Sequence, residues 1–234
     1  MNAGLPAVIL AGGLGTRLGV LGAEKPKALL EIAGAPFLQW KIEELIRQGV
    51  TAIYVLTGHK GDQIYDFVSA HKYSIPVSLI PDGASPLGTA RSLVNALPVI
   101  IGEQFILTYG DNLLELGICD FYGKAMSSGK SLMVVTSNLG LADTPNARVE
   151  GDFIAEYAKG GKPGLSLVDY GYSVIAKKDL IDMEAIQEAD LAPVFTKMAQ
   201  SGRLLAYETD LGYLEIGTPD SFRTTEAYLR SKTK

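Results

Sequence analysis

The sequence predicts an α/β fold in which helices flank a mostly parallel, mixed sheet within a single compact domain. Three observations support it: short apolar runs alternate with segments of helical periodicity, glycine-rich turns directly follow apolar runs, and the 234-residue chain is 47% hydrophobic and 20% charged. Short, wholly apolar runs are typical of strands buried on both faces, as in parallel sheets. Ligands of such sheets bind beyond the carboxyl ends of the strands.

The first half of the chain alternates strands and helices. The predicted strands cover residues 7–11, 52–57, 77–80 and 104–109. The predicted helices cover residues 36–48, 62–71 and 88–97. Pro36 suits the first turn of a helix and Gly49 suits its end, which supports the boundaries of the first helix.

The pattern is looser after about residue 130. Strands are predicted at residues 131–136, 171–176 and 203–209, and helices at residues 191–200 and from Pro219 onwards. Thr218 precedes that proline and is a suitable N-cap. Since no repeat, low-complexity tract or clear linker interrupts the chain, one domain covering residues 1–234 is expected.

Charge and residue counts exclude several classes of protein. Lys and Arg number 21 against 26 Asp and Glu, a net charge of −5, so no basic surface for a nucleic acid polymer or an anionic membrane is expected. One cysteine, Cys119, and two histidines allow neither an internal disulfide nor a recognised zinc spacing. No apolar run reaches about 18 residues and no charged leader precedes the first strand, which predicts a cytoplasmic protein.

A glycine-rich turn follows the first predicted strand. At Gly12 and Gly13 the backbone N–H groups can approach phosphate oxygens, because no side chain stands between them. Two familiar phosphate-binding patterns do not fit: a dinucleotide fingerprint needs a third glycine where Leu18 stands, and a P-loop needs Gly-Lys followed by Ser or Thr. A tight turn without a ligand is the alternative interpretation.

Two cations near this turn favour phosphate binding. Arg17 lies in the turn and Lys27 lies ten residues further on, so together they are suited to neutralise a polyphosphate. The segments LAGGLGTRL (10–18), PKALLEIAG (26–34) and PLGTA (86–90) together resemble the signature of the sugar-1-phosphate nucleotidyltransferases, also called nucleotide-sugar pyrophosphorylases. Within that family, the chain most resembles the short guanylyltransferases for heptose 1-phosphate and mannose 1-phosphate.

This resemblance implies a Rossmann-like fold of the nucleotide-diphospho-sugar transferase type. It implies a nucleotide-binding half at residues 1–130 and a sugar-phosphate-binding half at residues 131–234. The residues expected to bind the nucleotide are Leu10, Ala11, Gly12, Gly13, Gly15, Thr16, Arg17, Lys27, Pro86, Gly88 and Thr89. Arg17 and Lys27 are also expected to be catalytic, because they would stabilise charge on the reacting phosphates.

An aspartate after the fourth predicted strand is the first candidate metal ligand. Asp111 follows a buried strand, which puts its carboxylate at the ligand-binding edge of the sheet. The resemblance implies that Asp111 coordinates Mg²⁺ and belongs to the catalytic residues. The second ligand is expected at Glu215, where family members usually carry aspartate. Asp220 is the alternative, although an acid in a first helical turn is the simpler interpretation of that residue.

The resemblance is weaker on the side that would bind the sugar phosphate. The candidate residues there are Gly110, Lys159, Asp169 and Gly171, with Lys162 as an alternative to Lys159. Three positions depart from the family pattern: Ala158 replaces a glutamate, Ala147 replaces a glycine and Asp169 replaces an asparagine. These departures point to an unusual sugar or to another small phosphate.

The resemblance implies that a sugar 1-phosphate attacks the α-phosphorus of a nucleoside triphosphate, giving a nucleotide-sugar and pyrophosphate. GTP is favoured as the donor and a heptose or hexose 1-phosphate as the acceptor, in a monomer or homodimer. The alternatives are a non-sugar acceptor, such as phosphocholine or the less well fitting molybdopterin, and a non-catalytic nucleotide-sugar-binding regulatory subunit. The presence of Arg17, Lys27 and Asp111 argues against the regulatory subunit.

Overall fold

The computed structural model describes residues 4–13, 25–83, 85–137, 144–181, 189–212 and 214–232. The chain divides into two compact units, each assembled from discontinuous segments. Unit 1 consists of Met1–Leu87, Thr108–Leu114 and Tyr213–Lys234, and unit 2 consists of Gly88–Leu107 and Glu115–Gly212. The predicted division at residue 130 falls inside unit 2.

Strands and helices alternate through much of the chain. The strands are β1 (Pro6–Leu10), β2 (Glu31–Ile32), β3 (Ala35–Pro36), β4 (Ala52–Thr57), β5 (Val77–Pro81), β6 (Gln104–Tyr109), β7 (Asn112–Leu113), β8 (Ser131–Ser137), β9 (Ala147–Glu150), β10 (Phe153–Tyr157), β11 (Leu167–Ala176), β12 (Leu204–Thr209) and β13 (Leu214–Glu215). The helices are α1 (Phe37–Arg47), α2 (Gly61–Ser69), α3 (Thr89–Ala96), α4 (Ile118–Ser128), α5 (Lys177–Ile181), α6 (Leu191–Gln200) and α7 (Pro219–Lys232). None of these helices combines the length and apolar character needed to span a bilayer.

Unit 1 is built around parallel strands. β1 pairs with β4 and β4 pairs with β5, with Val8 opposite Tyr54 and Val55 opposite Leu79. Every residue of β1 and of β4 is buried, as the apolar runs predict. The parallel pairing brings the carboxyl ends of these strands to one edge of the sheet.

An apolar cluster in unit 1 supports a second, two-stranded sheet formed by β7 and β13. The cluster consists of Ile32, Phe37, Leu113, Leu214, Ile216 and Leu229. Trp40 packs against it and donates from Nε1 to Ile32 O at 3.0 Å. Burial of these side chains fixes the short strands, which have few hydrogen bonds of their own.

Unit 2 contains a mixed sheet in which antiparallel pairs predominate. β8 lies between β11, which is antiparallel to it, and β12, which is parallel to it. β10 pairs antiparallel with β9 and with β12. The predicted α/β class with a mixed sheet is therefore confirmed, and the parallel strands β1 and β4 of unit 1 correspond to the buried apolar runs of the sequence.

Most predicted elements lie within two residues of the observed bounds, and the strands at 52–57 and 104–109 match them. The largest difference is β11, which begins at Leu167 instead of residue 171. Sequence reasoning missed α4, which has an internal glycine and buries only Ile118, Phe121 and Ala125 of its side chains. It also missed the β9–β10 hairpin, whose strands bury few side chains and so lack a clear apolar pattern.

The turn into α3 requires glycine for two reasons. Gly88 has φ +85°, and a Cβ there would stand 2.4 Å from the carbonyl oxygen of Ala189. Two hydrogen bonds hold this contact in unit 2: Ala90 N donates to Ala189 O at 2.9 Å, and Leu191 N donates to Thr89 Oγ1 at 3.0 Å. The start of α3 is thereby fixed against the start of α6.

We expect Gly88→Ala to lower the free energy of unfolding by about 3–5 kcal/mol, because backbone strain and a backbone collision add. Gly83→Ala is the matched control: Gly83 has φ +91°, but a Cβ there meets nothing within 4 Å. Gly83→Ala is expected to lower the free energy of unfolding by about 1–2 kcal/mol, from backbone strain alone. Urea denaturation of both variants measures the difference, and equal losses would contradict the predicted collision.

Candidate active site

The ends of β1 and β6 approach each other closely in unit 1. Gly110, directly after β6, donates from N to Leu10 O of β1 at 2.9 Å. Ala11, directly after β1, donates from N to Leu56 O of β4 at 2.8 Å. A Cβ on Gly110 would lie 3.2 Å from Leu10 O and 3.3 Å from the Cα of Ala11. These contacts are tighter than is usual for a Cβ, so a side chain at this position would require the end of β1 to shift by a few tenths of an ångström.

The loop after β5 joins the same strand ends. Asp82 Oδ2 accepts a hydrogen bond from Leu87 N at 3.0 Å, which ties the residue after Pro86 to the end of β5. The same oxygen would lie 3.1 Å from a Cβ on Gly58, and Gly58 in turn faces Gly12. The ends of β1, β4 and β5 therefore meet, and a Cβ added to Gly13 would meet no atom of the described residues within 4 Å.

Lys27 and Asp111 form an ion pair in unit 1. Lys27 begins a 3₁₀ turn directly after Pro26, and its Nζ donates to Asp111 Oδ2 at 2.6 Å. The two side chains are 17% and 37% exposed, so the pair is partly shielded yet open to a ligand. Two of the three predicted catalytic residues are thus in direct contact.

Glu215 lies on the strand beside the Asp111 turn. β13 pairs antiparallel with β7, with Glu215 opposite Asn112, and Ile216 N donates to Asp111 O at 3.0 Å. The Glu215 carboxylate lies close to Gly217, where a Cβ would stand 2.5 Å from Oε2. Both predicted metal-ligating acids are therefore carried by backbone segments that are hydrogen-bonded to each other.

Asp220, the alternative ligand, is in a different setting. It lies in the first turn of α7, its side chain is 88% exposed, and it forms an ion pair with Arg223. Ser221 N donates to Thr218 Oγ1 at 3.1 Å, so Thr218 caps this turn as predicted. Asp220 has the position of an acid that stabilises a helix N-terminus.

A buried lysine lies behind the Asp111 turn. Lys41 on α1 is fully buried, and its Nζ donates to Thr108 Oγ1 at 2.7 Å, Asn112 O at 2.7 Å and Asn112 Oδ1 at 2.8 Å. Burial lowers the pKa of Lys41 well below its ordinary value, and the negative charge of Asp111 opposes that shift. Sequence reasoning gave Lys41 no role.

The sequence contains one signal that could have identified Lys41. The buried side chains of α1 are Phe37, Leu38, Lys41, Ile42 and Leu45, which form a single helical face. Lys41 is the charged member of an otherwise apolar stripe, and a lysine in that position needs buried acceptors.

Asp169 occupies a bulge of β11 in unit 2. Its Oδ1 accepts from Gly171 N at 2.8 Å, and its backbone N donates to Asn146 Oδ1 at 2.8 Å. Burial raises the pKa of Asp169 to about 6, and hydrogen bonds from Gly171 N and Tyr157 OH partly oppose that rise. The structure therefore brings together Asp169 and Gly171, both predicted on the sugar side.

The two candidate lysines for the sugar phosphate are each paired with a carboxylate in unit 2. Lys159 pairs with Asp190 and Lys162 pairs with Glu156, and both lysine side chains are at least half exposed. Asp190 also caps α6, because its Oδ1 accepts from Ala192 N at 3.1 Å. Since both lysines have the same kind of partner, the preference for Lys159 stays a prediction based on spacing.

The remaining predicted residues are distributed as follows. Gly15, Thr16 and Arg17 lie outside the described residues. Gly88 and Thr89 belong to unit 2, whereas Leu10, Ala11, Gly12, Gly13, Lys27, Pro86, Gly110, Asp111 and Glu215 belong to unit 1.

Comparison with known proteins places this arrangement in a family. Residues 7–141, more than half of the 234-residue chain, match the MobA-like NTP transferase domain. The matched segment includes the glycine turn, Lys27 and Asp111, and therefore the ion pair of unit 1.

Whole-chain relatives extend the comparison. The chain is 28% identical to N-acetylmuramate alpha-1-phosphate uridylyltransferase of Neisseria meningitidis, over 95% of this chain and 97% of the relative. It is 24% identical to D-glycero-alpha-D-manno-heptose 1-phosphate guanylyltransferase of Aneurinibacillus thermoaerophilus, over 97% of this chain and 99% of the relative. The crystal structure of HddC from Yersinia pseudotuberculosis complexed with GMP-PN superposes with a TM-score of 0.80 at 26% identity, covering 98% of this chain and 100% of HddC. The chain therefore belongs to the family of MobA-like NTP transferase domains, and it is a nucleotidyltransferase related to the sugar-phosphate enzymes.

Proposed function

We propose that the enzyme transfers a nucleotidyl group from a nucleoside triphosphate, with GTP favoured, to a heptose or hexose 1-phosphate in a Mg²⁺-dependent reaction. The ion pair between Lys27 and Asp111 carries this proposal, because it joins a phosphate-binding cation to a metal-binding carboxylate at the ends of β1 and β6. Similarity to the heptose 1-phosphate guanylyltransferase supports the choice of GTP and heptose.

The chemistry needs positioning and charge neutralisation rather than a general base. A phosphate monoester has a second pKa of about 6, so the attacking oxygen is mostly ionised at neutral pH. It attacks the α-phosphorus, the bond to the β-phosphate oxygen breaks, and pyrophosphate leaves in line. The ammonium of Lys27 stabilises the charge that develops on these phosphates, and Arg17 is proposed from its sequence position to do the same.

The residues present fit a magnesium ion. Asp111 already holds a cation, the Lys27 ammonium, and Glu215 supplies a second carboxylate from the adjacent strand. Within the part of the chain that the structure describes, no cluster of three or more His, Cys, Asp or Glu side chains is placed to hold a metal ion. Asp111 and Glu215 would therefore hold Mg²⁺ together with substrate oxygens, as is usual for this ion. When bound, Mg²⁺ neutralises phosphate charge and orients the reacting groups.

Of the proposed acceptor-binding residues, Lys159, Asp169 and Gly171 are in unit 2 and Gly110 is in unit 1. Asp169 is mostly ionised at pH 7, since its pKa is about 6, and an ionised carboxylate accepts hydrogen bonds from sugar hydroxyls. Lys159 is proposed to bind the sugar phosphate once it leaves Asp190, with Lys162 as the alternative.

Pyrophosphate release tests the proposal. The purified chain is assayed with Mg²⁺ across GTP, UTP, CTP, ATP and dTTP, each combined with heptose, mannose, glucose and N-acetylmuramic acid 1-phosphates and with phosphocholine. We expect release only when GTP and one sugar phosphate are present together. Release with UTP would correct the base, and release with phosphocholine would correct the acceptor class. Binding of a triphosphate without turnover in any combination would support the regulatory alternative.

We expect Asp111→Ala and Arg17→Ala each to lower kcat by about 100-fold or more, because each removes a charge that faces the reacting phosphates. Asp152→Asn is the matched control, since Asp152 forms an exposed ion pair with Lys124. Steady-state kinetics and circular dichroism measure activity and folding. A rate within threefold of the wild type for either alanine variant would exclude that residue from the site.

Replacement of the second proposed ligand has a different signature. Glu215→Gln is expected to raise the half-saturating Mg²⁺ concentration about tenfold, because a neutral amide is a poorer ligand for Mg²⁺ than a carboxylate. Asp220→Asn is the comparison variant and is expected to leave the Mg²⁺ titration unchanged. The opposite result would assign the second ligand to Asp220.

Acceptor binding is expected to depend on the ionisation of Asp169. As the pH falls through about 6, Asp169 gains a proton and loses its charge, so the KM for the sugar phosphate rises. The substrate phosphate titrates near the same pH, and Asp169→Asn separates the two effects because it keeps an acceptor oxygen but does not titrate. Identical KM profiles for variant and wild type between pH 5 and 8 would contradict a role for Asp169.

A further inference from the structure

Lys41 is a buried charge that the proposed chemistry does not use. Its side chain is fully buried, and an isolated ammonium in such a place is strongly unfavourable unless acceptors surround it. A methionine of similar length would fill the same space without that desolvation penalty. The acceptors that surround Lys41 therefore indicate its role.

The acceptors come from the two sides of one turn. Thr108 ends the buried part of β6, Asn112 begins β7, and Gly110 and Asp111 lie between them. Lys41 Nζ lies 2.7 Å from Thr108 Oγ1, 2.7 Å from Asn112 O and 2.8 Å from Asn112 Oδ1. An ammonium has three N–H donors, so three acceptors match its full capacity.

A fourth hydrogen bond joins two of the groups that accept from Lys41. Thr108 Oγ1 donates to Asn112 Oδ1 at 3.0 Å, and all of these groups are buried. Buried, mutually bonded polar groups hold a backbone more rigidly than exposed ones, because water cannot replace their partners. The backbone on both sides of the turn that presents Asp111 is therefore held by buried hydrogen bonds.

The network also reaches the second acid. Asn112 is the register partner of Glu215, and Asp111 O accepts from Ile216 N at 3.0 Å. A displacement of Asn112 would move β13 along with the Asp111 turn. Lys41 thus helps to hold the backbone segments that carry both carboxylates.

We propose that Lys41 is a positioning residue that sets the spacing of Asp111 and Glu215 for one divalent cation. It acts on their backbone segments through its hydrogen bonds to Thr108 and Asn112. The inference rests on the proposed assignment of Asp111 and Glu215 as metal ligands, and its test distinguishes the two.

Mn²⁺ binding to the full chain, measured by isothermal titration calorimetry without substrate, is a readout that needs no turnover. We expect Lys41→Met to weaken Mn²⁺ binding about 10–100-fold, the range seen when groups that orient a metal ligand are removed. Thr108→Val, which loses only the hydroxyl, is expected to weaken it several-fold and provides the test if Lys41→Met does not fold. Half-saturating Mg²⁺ in the pyrophosphate assay is expected to rise in parallel, while the KM for the triphosphate at saturating Mg²⁺ changes less than twofold.

Ile42→Ala is the matched control, since Ile42 is equally buried on the same helix. It is expected to lower Tm but to leave Mn²⁺ affinity within twofold of the wild type. If Lys41→Met and Thr108→Val lower Tm in the same way and also leave Mn²⁺ affinity unchanged, Lys41 is purely structural and the proposal is overturned. If Asp111→Ala leaves Mn²⁺ binding unchanged, the metal assignment itself fails and the inference fails with it. If the wild type binds Mn²⁺ only with substrate present, the half-saturating Mg²⁺ concentration in the pyrophosphate assay decides instead, and an unchanged value in both Lys41→Met and Thr108→Val overturns the proposal.

Discussion

The close approach of β1 and β6 is the constraint on which the rest of unit 1 depends. Gly110 N donates to Leu10 O at 2.9 Å, and a Cβ at residue 110 would lie 3.2 Å from Leu10 O and 3.3 Å from the Cα of Ala11. Because the two strand ends are held together, the glycine turn that follows β1 and the aspartate that follows β6 emerge side by side. Lys27 then reaches Asp111 directly.

Two lysines lie at the Asp111 turn, and each has oxygen partners there. Lys27 neutralises Asp111 at the partly exposed front of the turn, while Lys41 bonds to neutral oxygens at its buried back. In the proposed reaction, Lys27 and Asp111 would exchange partners with substrate phosphates and a cation, since both side chains are partly exposed. The back network cannot be reached by solvent and holds the turn in place during that exchange.

Sequence reasoning captured the features that depend on local pattern. β1, β4 and β6 are buried runs, and the selection of Lys27 and Asp111 as candidate catalytic residues followed from the family signature, whereas their direct contact was not predicted. Lys41 was missed because its acceptors, Thr108 and Asn112, lie 67 and 71 residues away in the chain. A pattern of apolar and polar residues does not show which distant oxygens a buried lysine will meet. The ion pairs of Lys159 and Lys162 were missed for the same reason, since a surface lysine is compatible with many partners.

The match to the MobA-like domain ends at residue 141, but strands that complete the same sheet come later in the chain. β8, at Ser131–Ser137, is hydrogen-bonded on one side to β11 and on the other to β12, which comes from Leu204–Thr209. A chain cut after the matched segment would leave both edges of β8 unpaired. Residues 7–141 therefore depend on β11 and β12, which come later in the chain, to complete the sheet around β8.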